Sequence, residues 1–215
     1  MARYDSDEEQ LEAIRNWLKE NGKAMAAGAV IAIAAVVGWQ QWGAHQERSA
    51  EAASIAYMQL IDARETGADP DTVERRGRAV MEDYQRSVYG SMAGLQLAEY
   101  QVERSSLEQA ANALRWVVDN GVDESFRHVA RLRLAQVLLG MDEPEQALAV
   151  LNVPDQGVYA AQYLEKRGDA YAASGDYRRA REAYDAALAT DEISSTRRAL
   201  IRIKRDDLVA DGTSA

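Results

Sequence analysis

The sequence predicts an all-α protein: a single N-terminal transmembrane helix followed by a solenoid of helical hairpins. Three observations predict this fold class. The composition is rich in helix formers, and the three prolines lie between periodic segments. Residues 24–44 contain no formally charged side chain. In the second half of the chain, small and apolar residues recur in phase, as expected for stacked repeats.

The uncharged segment has the length of a membrane span. A helix over residues 24–44 would extend for roughly 31 Å, the thickness of one hydrocarbon core. Indole rings near its end favour the interface between membrane and water. We therefore predict a transmembrane helix over residues 23–44, with these residues forming the anchor: Lys23, Ala24, Gly28, Ala32, Trp39 and Trp42.

Two alternatives exist for this segment. Its most apolar part, residues 24–39, is short and rich in alanine, which would also suit a buried core helix. A cleavable signal is disfavoured because residues 1–22 carry six acidic and three basic side chains, whereas a signal begins with a short basic region.

The distribution of basic residues predicts the orientation. Four basic residues precede the span, whereas only Arg48 and Arg64 follow it within about 20 residues. This bias places residues 1–22, a stub, in the cytoplasm. It places residues 45–215 in the periplasm if the source is a Gram-negative bacterium.

The stub has a helical stripe of apolar residues at Leu11, Ile14, Trp17 and Leu18. The stripe predicts a short amphipathic helix on the membrane surface or against a partner. The alternative is a helix that simply continues into the span.

Small residues also share one face of the span, among them Gly28 and Ala32. They would let another transmembrane helix approach closely, although membrane helices are generally rich in alanine and glycine.

The clearest repeat covers residues 161–192 and resembles the tetratricopeptide (TPR) repeat, a helix–turn–helix of about 34 residues. Two positions depart from that pattern, because Arg167 replaces the usual Leu and Glu192 the usual Pro. The expected packing and turn positions are Leu164, Gly168, Tyr171, Gly175, Tyr177, Ala180, Tyr184 and Ala187.

Two fainter units, near residues 91–120 and 128–156, keep the same phase. The second includes Leu134, Ala135 and Ala147 among its predicted packing residues. A repeat of this kind cannot bury its apolar face alone, so consecutive units are expected to stack.

A last helix over residues 193–209 is predicted to cap the array. We expect its basic side chains to form a solvated outer face, as terminal repeats require. The alternative is a basic site for acidic partners or lipid headgroups. The residues concerned are Arg197, Arg198, Arg202, Lys204 and Arg205.

The residues favour a binding protein without catalysis. The chain has no cysteine, and its net charge of −10 argues against nucleic-acid binding. Its two histidines, His45 and His128, have no partners at metal-ligand spacing. We predict no catalytic residue, no metal and no cofactor.

The stretches NGKAMAAG and GWQQWGAHQ at the two ends of the span, followed by TPR-like units, resemble the YfgM family of ancillary subunits of the bacterial SecYEG translocon. The resemblance covers essentially the whole chain. It implies a single-span inner-membrane protein with a periplasmic TPR-like domain. It also implies partners: the SecYEG translocon, a membrane-anchored periplasmic chaperone such as PpiD, and emerging secretory chains.

The main alternative is an envelope scaffold or stress-signalling regulator that acts through the cytoplasmic stub, residues 5–19. A hydrolase with an improvised site is the third and least supported reading.

Overall fold

A computed structural model describes residues 4–190 and 193–212, and this part of the chain is helical with no strand. The all-α prediction is confirmed. Side chains at 4–10, 13, 29, 44, 45 and 209–212 lie outside the described set, as does Glu192. The helices are α1 (Tyr4–Glu65), α2 (Pro70–Asp83), α3 (Val88–Glu103), α4 (Leu107–Asn120), α5 (Glu124–Gly140), α6 (Pro144–Val150), α7 (Ala160–Ala173), α8 (Tyr177–Leu188) and α9 (Ser195–Gly212), with a 3-10 turn at Gly157–Tyr159.

The chain divides into two compact units, Met1–Glu51 and Ala52–Ala215. The first contains most of α1, which runs without interruption through the stub and the apolar segment and ends at Glu65 in the second unit. A separate stub helix is therefore not observed, and the alternative of one continuing helix agrees with the structure. Proline is absent from α1, and the glycines at 22, 28, 38 and 43 cost only about 1 kcal/mol each in a helix interior.

The apolar part of α1 is long and apolar enough to cross a membrane. Its most apolar window has a mean hydropathy of 1.7, and none of that window is buried within the protein. Ile31 and Trp39, for example, are 69% and 83% exposed. The buried-core alternative is therefore wrong, because a core helix would bury these side chains against other elements.

The second unit is an array of helical hairpins, α3–α4, α5–α6 and α7–α8, preceded by α2 and followed by α9. Two helices of the array begin at aspartate caps. Asp123 accepts backbone hydrogen bonds at the start of α5, and Asp176 does so at the start of α8. Gly175, with φ +79°, makes the turn before α8 in the left-handed region that favours glycine.

Each hairpin has two small, buried residues twelve positions apart, one on each helix. Because such side chains occupy little space, the two helices can approach closely where they cross. In the last hairpin, a Cβ added to Gly168 would lie 2.4 Å from the ring of Tyr184. The three pairs are Ala98 and Ala110, Ala135 and Ala147, and Gly168 and Ala180.

Helix α9 differs from the predicted cap. It buries Ile201 and Leu208 against the last hairpin, as a capping helix should. Most of its basic side chains, however, do not form a solvated outer face. Arg197 and Lys204 bind carboxylates of α7, and Arg198 donates to the backbone carbonyl of Leu188. This expectation was wrong because the sequence did not reveal the acidic residues that these cations face.

We expect Gly168→Ala to lower the free energy of unfolding by about 1–3 kcal/mol, because the added methyl group overlaps the buried Tyr184 ring. The measurement is urea denaturation of the full chain in detergent. Gly140→Ala is the matched control, since its Cβ would make an ordinary 3.5 Å contact with Leu107. Equal stability of both variants would show that the crossing tolerates a larger residue.

Candidate binding site on the helical array

The odd-numbered helices of the array are joined by a series of polar side-chain contacts. Arg64, near the end of α1, binds Glu103 of α3 at 2.6 Å and also contacts Glu99 at 3.6 Å. The other carboxylate oxygen of Glu99 lies 4.0 Å from Arg133 of α5. Two arginines and one glutamate thus connect three helices that are not consecutive in the sequence.

The series continues across the second half of the array. Lys166 of α7 donates a hydrogen bond to Gln136 of α5 and pairs with Asp169 at 3.2 Å. Asp169 in turn accepts a hydrogen bond from Lys204 of α9 at 2.9 Å. The polar contacts therefore run from α1 through α3, α5 and α7 to α9.

Aliphatic side chains lie beside these polar residues at helical spacings of three or four. Val102 is 43% exposed beside Glu99, and Leu200 is 47% exposed beside Lys204. We call this surface the odd-helix face. Its defining residues are Glu99, Val102, Leu132, Arg133, Gln136, Leu139, Lys166, Asp169, Leu200, Ile203 and Lys204.

The exposed ion pairs of this face contribute little to stability. The side chains of Glu99 and Arg133 are each about half exposed. Ion pairs of this kind contribute about 0–1 kcal/mol each to the free energy of unfolding. Most of the folding free energy comes instead from the apolar contacts between helices. The exposed charges and aliphatic groups remain available to a partner, which suits a surface for recognition.

The contacts between α7 and α9 are more buried. Glu165 is 4% exposed and pairs with Arg197 at 2.9 Å and with Lys204 at 2.8 Å. Tyr184 donates a hydrogen bond to Asp169 at 2.9 Å. Removing one partner from such a group leaves a buried charge uncompensated, so this cluster holds α9 on the array.

Two groups in this cluster have shifted pKa values. Burial of the phenol and the nearby Asp169 carboxylate raise the pKa of Tyr184 above its ordinary range. Burial lowers the pKa of Lys204, but hydrogen bonds to Asp169 and Glu165 more than offset this effect, so its pKa is raised overall.

The predicted packing residues occupy both sides of the hairpin interfaces. Leu164 and Tyr171 are partly buried, while Tyr177 is 41% exposed at the start of α8. Gly175 lies in the α7–α8 turn. The remaining residues are buried: Leu134, Ala135, Ala147, Gly168, Ala180, Tyr184 and Ala187.

The predicted anchor residues all lie on α1, and all of them are exposed. The structure places no side chain within 4 Å of a Cβ built at Gly28. These residues do not contribute to the odd-helix face, and their contacts with lipid or protein stay a prediction. They are Lys23, Ala24, Gly28, Ala32, Trp39 and Trp42.

Sequence reasoning missed the odd-helix face and one buried polar pair. His128 hydrogen-bonds the hydroxyl of Tyr163 at 2.9 Å between α5 and α7, so its role here is structural. The spacing of the repeats could have revealed this face, because the residues that contact each other on successive odd-numbered helices occupy related repeat positions.

Within the residues that the structure describes, no group of three His, Asp or Glu side chains is arranged to hold a metal ion.

This architecture defines a class: TPR-like proteins with one candidate membrane helix at the N-terminus. A family model described as a tetratricopeptide repeat-like domain matches residues 15–210, which include most of α1 and all of the array.

Relatives narrow the class further. The chain is 34% identical to the ancillary SecYEG translocon subunit of Escherichia coli (strain K12), over 87% of this chain and 90% of that protein. Proteins of the same name match from Neisseria gonorrhoeae, at 26% identity over 97% of this chain, and Aggregatibacter actinomycetemcomitans, at 28% over 97%. Both are covered over their full length. The chain belongs to the YfgM family of TPR-like proteins.

We expect stability to fall as the pH rises through the ordinary pKa values of tyrosine and lysine, 10.0 and 10.5. The unfolded chain then loses protons that native Tyr184 and Lys204 retain, which favours the unfolded state. Urea denaturation at about pH 8 and about pH 11 measures the loss.

Tyr184→Phe and Lys204→Arg should each lose less stability over this range than the parent protein. Tyr177→Phe is the matched control, because that side chain lies in the exposed first turn of α8. The cluster would have no role in the alkaline loss if all three variants kept the parent dependence.

Proposed function

We propose that this protein is a non-enzymatic accessory subunit of the SecYEG translocon, anchored in the inner membrane by residues 23–44. The observation that supports this most directly is the near full-length match to a protein named ancillary SecYEG translocon subunit. The family model, which matches residues 15–210, includes both the apolar segment and the array. A shared arrangement of anchor and array is what a common place beside the translocon requires.

In this proposal, the array lies in the periplasm and binds partners through the odd-helix face. Exposed aliphatic residues such as Val102 and Ile203 would contact apolar side chains, and Arg133 and Glu99 would contact polar groups of an extended segment. A membrane-anchored chaperone of the PpiD type and emerging secretory chains are the proposed partners.

The span would position the array next to the channel. Gly28 and Ala32 have exposed positions on α1, and small residues permit close helix packing within a bilayer. We propose that they contact a transmembrane helix of the translocon.

The alternative function is a scaffold or stress-signalling regulator that acts through the cytoplasmic stub. The exposed apolar side chains of Leu11, Ile14, Trp17 and Leu18 favour it, since they offer a stripe on which a partner could bind.

We expect single-cysteine variants to report the proposed topology directly, because the parent chain has no cysteine. A membrane-impermeant maleimide should label Ala173→Cys when only the outer membrane is permeabilised. It should label Glu12→Cys only after the inner membrane is disrupted. The reverse pattern would place the array in the cytoplasm.

In-cell photo-crosslinking should identify the partners. A benzophenone amino acid at Ala32 is expected to crosslink translocon subunits, and one at Ile203 to crosslink a periplasmic chaperone or secretory chains. Leu200→Asp should reduce the Ile203 crosslinks by about fivefold, since it places a charge among aliphatic contacts. The yield is measured by mass spectrometry.

Val158→Asp is the matched control, because Val158 is equally apolar and 69% exposed but lies outside the odd-helix face. Translocon crosslinks from Ala32 without periplasmic crosslinks from Ile203 would refute the binding role of this face. Crosslinks only to soluble cytoplasmic proteins, abolished by deletion of residues 5–19, would instead support the regulator alternative.

A further inference from the structure

Two hairpins of the array can be compared position by position. Ala110 of α4 and Ala180 of α8 are equivalent crossing residues, 70 positions apart. With this shift, a cleft of about 310 Å³ at α3–α4 and one of about 240 Å³ at α7–α8 share five lining positions. Leu97 and Ala113 line the first, and their equivalents Arg167 and Ala183 line the second.

The two clefts differ in what covers them. At α3–α4, the preceding helix α2 contributes side chains to the lining, among them Met81 and Glu82. At α7–α8, the lining residues come from α7 and α8 alone. The preceding helix α6 has only seven residues, whereas α2 and α4 have fourteen. Pro154 follows α6 closely and disfavours its continuation as a helix.

The chemistry of the open cleft also differs. Where the covered cleft has Leu97 and Gln109, the open one has Arg167 and Arg179. These substitutions introduce two guanidinium groups at positions that face a neighbouring helix in the other hairpin. An array with this arrangement accommodates carboxylates better than apolar side chains at these two positions.

One of these arginines has no acidic partner. Arg179 binds Asp176 at 2.9 Å and lies 5.5 Å from the centre of the Tyr171 ring. Among residues 4–190 and 193–212, Arg167 has no carboxylate oxygen within 4.0 Å. Arg167 and Tyr171 both line the cleft, and the nearby Arg167 guanidinium lowers the pKa of the Tyr171 hydroxyl.

We propose that the α7–α8 cleft binds an amphipathic helix of a partner protein whose acidic side chains pair with Arg167 and Arg179. The partner helix takes the place that α2 takes on α3–α4, with an apolar side chain over Ala183, which is 9% exposed. The site is distinct from the odd-helix face, so this proposal does not depend on the function proposed above.

The internal comparison and the charge together select this occupant. A helix is the element that fills the equivalent cleft. The carboxylate of Glu182, which also lines the open cleft, is paired with Arg178, so Ala183 and the two arginines remain to match one apolar and one acidic stripe. A second copy of the chain has no unoccupied equivalent of α2 to offer, because its α2 already covers its own α3–α4 cleft.

The test uses the full chain in its native membrane, with a benzophenone amino acid at the exposed position Ala186 on the edge of the cleft. We expect crosslinks that map to a helical segment of one partner with at least two Asp or Glu residues. Combined Arg167→Glu and Arg179→Glu substitutions should reduce the yield about tenfold, equivalent to about 1.4 kcal/mol. Changing the mapped acidic residues of the partner to arginine should restore it.

Arg202→Glu is the matched control, since it makes the same charge change at an exposed position on α9 and should leave the yield within twofold. Arg167→Leu, with the usual TPR residue, tests the site without a risk to folding and should lower the yield severalfold. The proposal is overturned by crosslinks only to lipid or to a second copy, by their absence, or by a yield that charge reversal leaves unchanged.

Discussion

The close crossing of paired helices at small residues is the constraint on which the array depends. A buried alanine or glycine on each helix lets the hairpin close, and Gly168 shows how little space remains, because the Tyr184 ring occupies the volume of a potential Cβ. Once the hairpins close, their remaining apolar faces can be buried only by stacking on neighbours. Stacking then brings the odd-numbered helices side by side and creates their common face.

The charges of the array have two different roles that burial separates. Around Glu165, which is almost fully buried, ion pairs hold α9 in place because an uncompensated charge there would be costly. On the odd-helix face, pairs such as Glu99 and Arg133 remain half exposed and stabilise little. An acidic protein can therefore retain a polar recognition surface whose charges are not needed for folding.

Irregularity in the repeats is where the array departs from a uniform solenoid. The short helix α6 leaves a hairpin without the cover that α2 and α4 provide elsewhere, and Arg167 replaces a residue that would be apolar in a typical TPR unit. Both departures fall on the same cleft. The coincidence of these two changes supports the proposed partner helix, because a guanidinium without a carboxylate partner contributes little to packing.

The sequence by itself determined the helical class, the candidate span and the phase of the hairpins, because these follow from local composition and from spacings that repeat along the chain. Only the tertiary structure decided that α1 is one helix, that the basic residues of α9 turn towards Glu165 and Asp169, and which cleft lacks a covering helix. The continuity of α1 was one of two alternatives that the local pattern left open. The other two features depend on side chains more than thirty positions apart that meet only after stacking. Local periodicity contains no information about those distances.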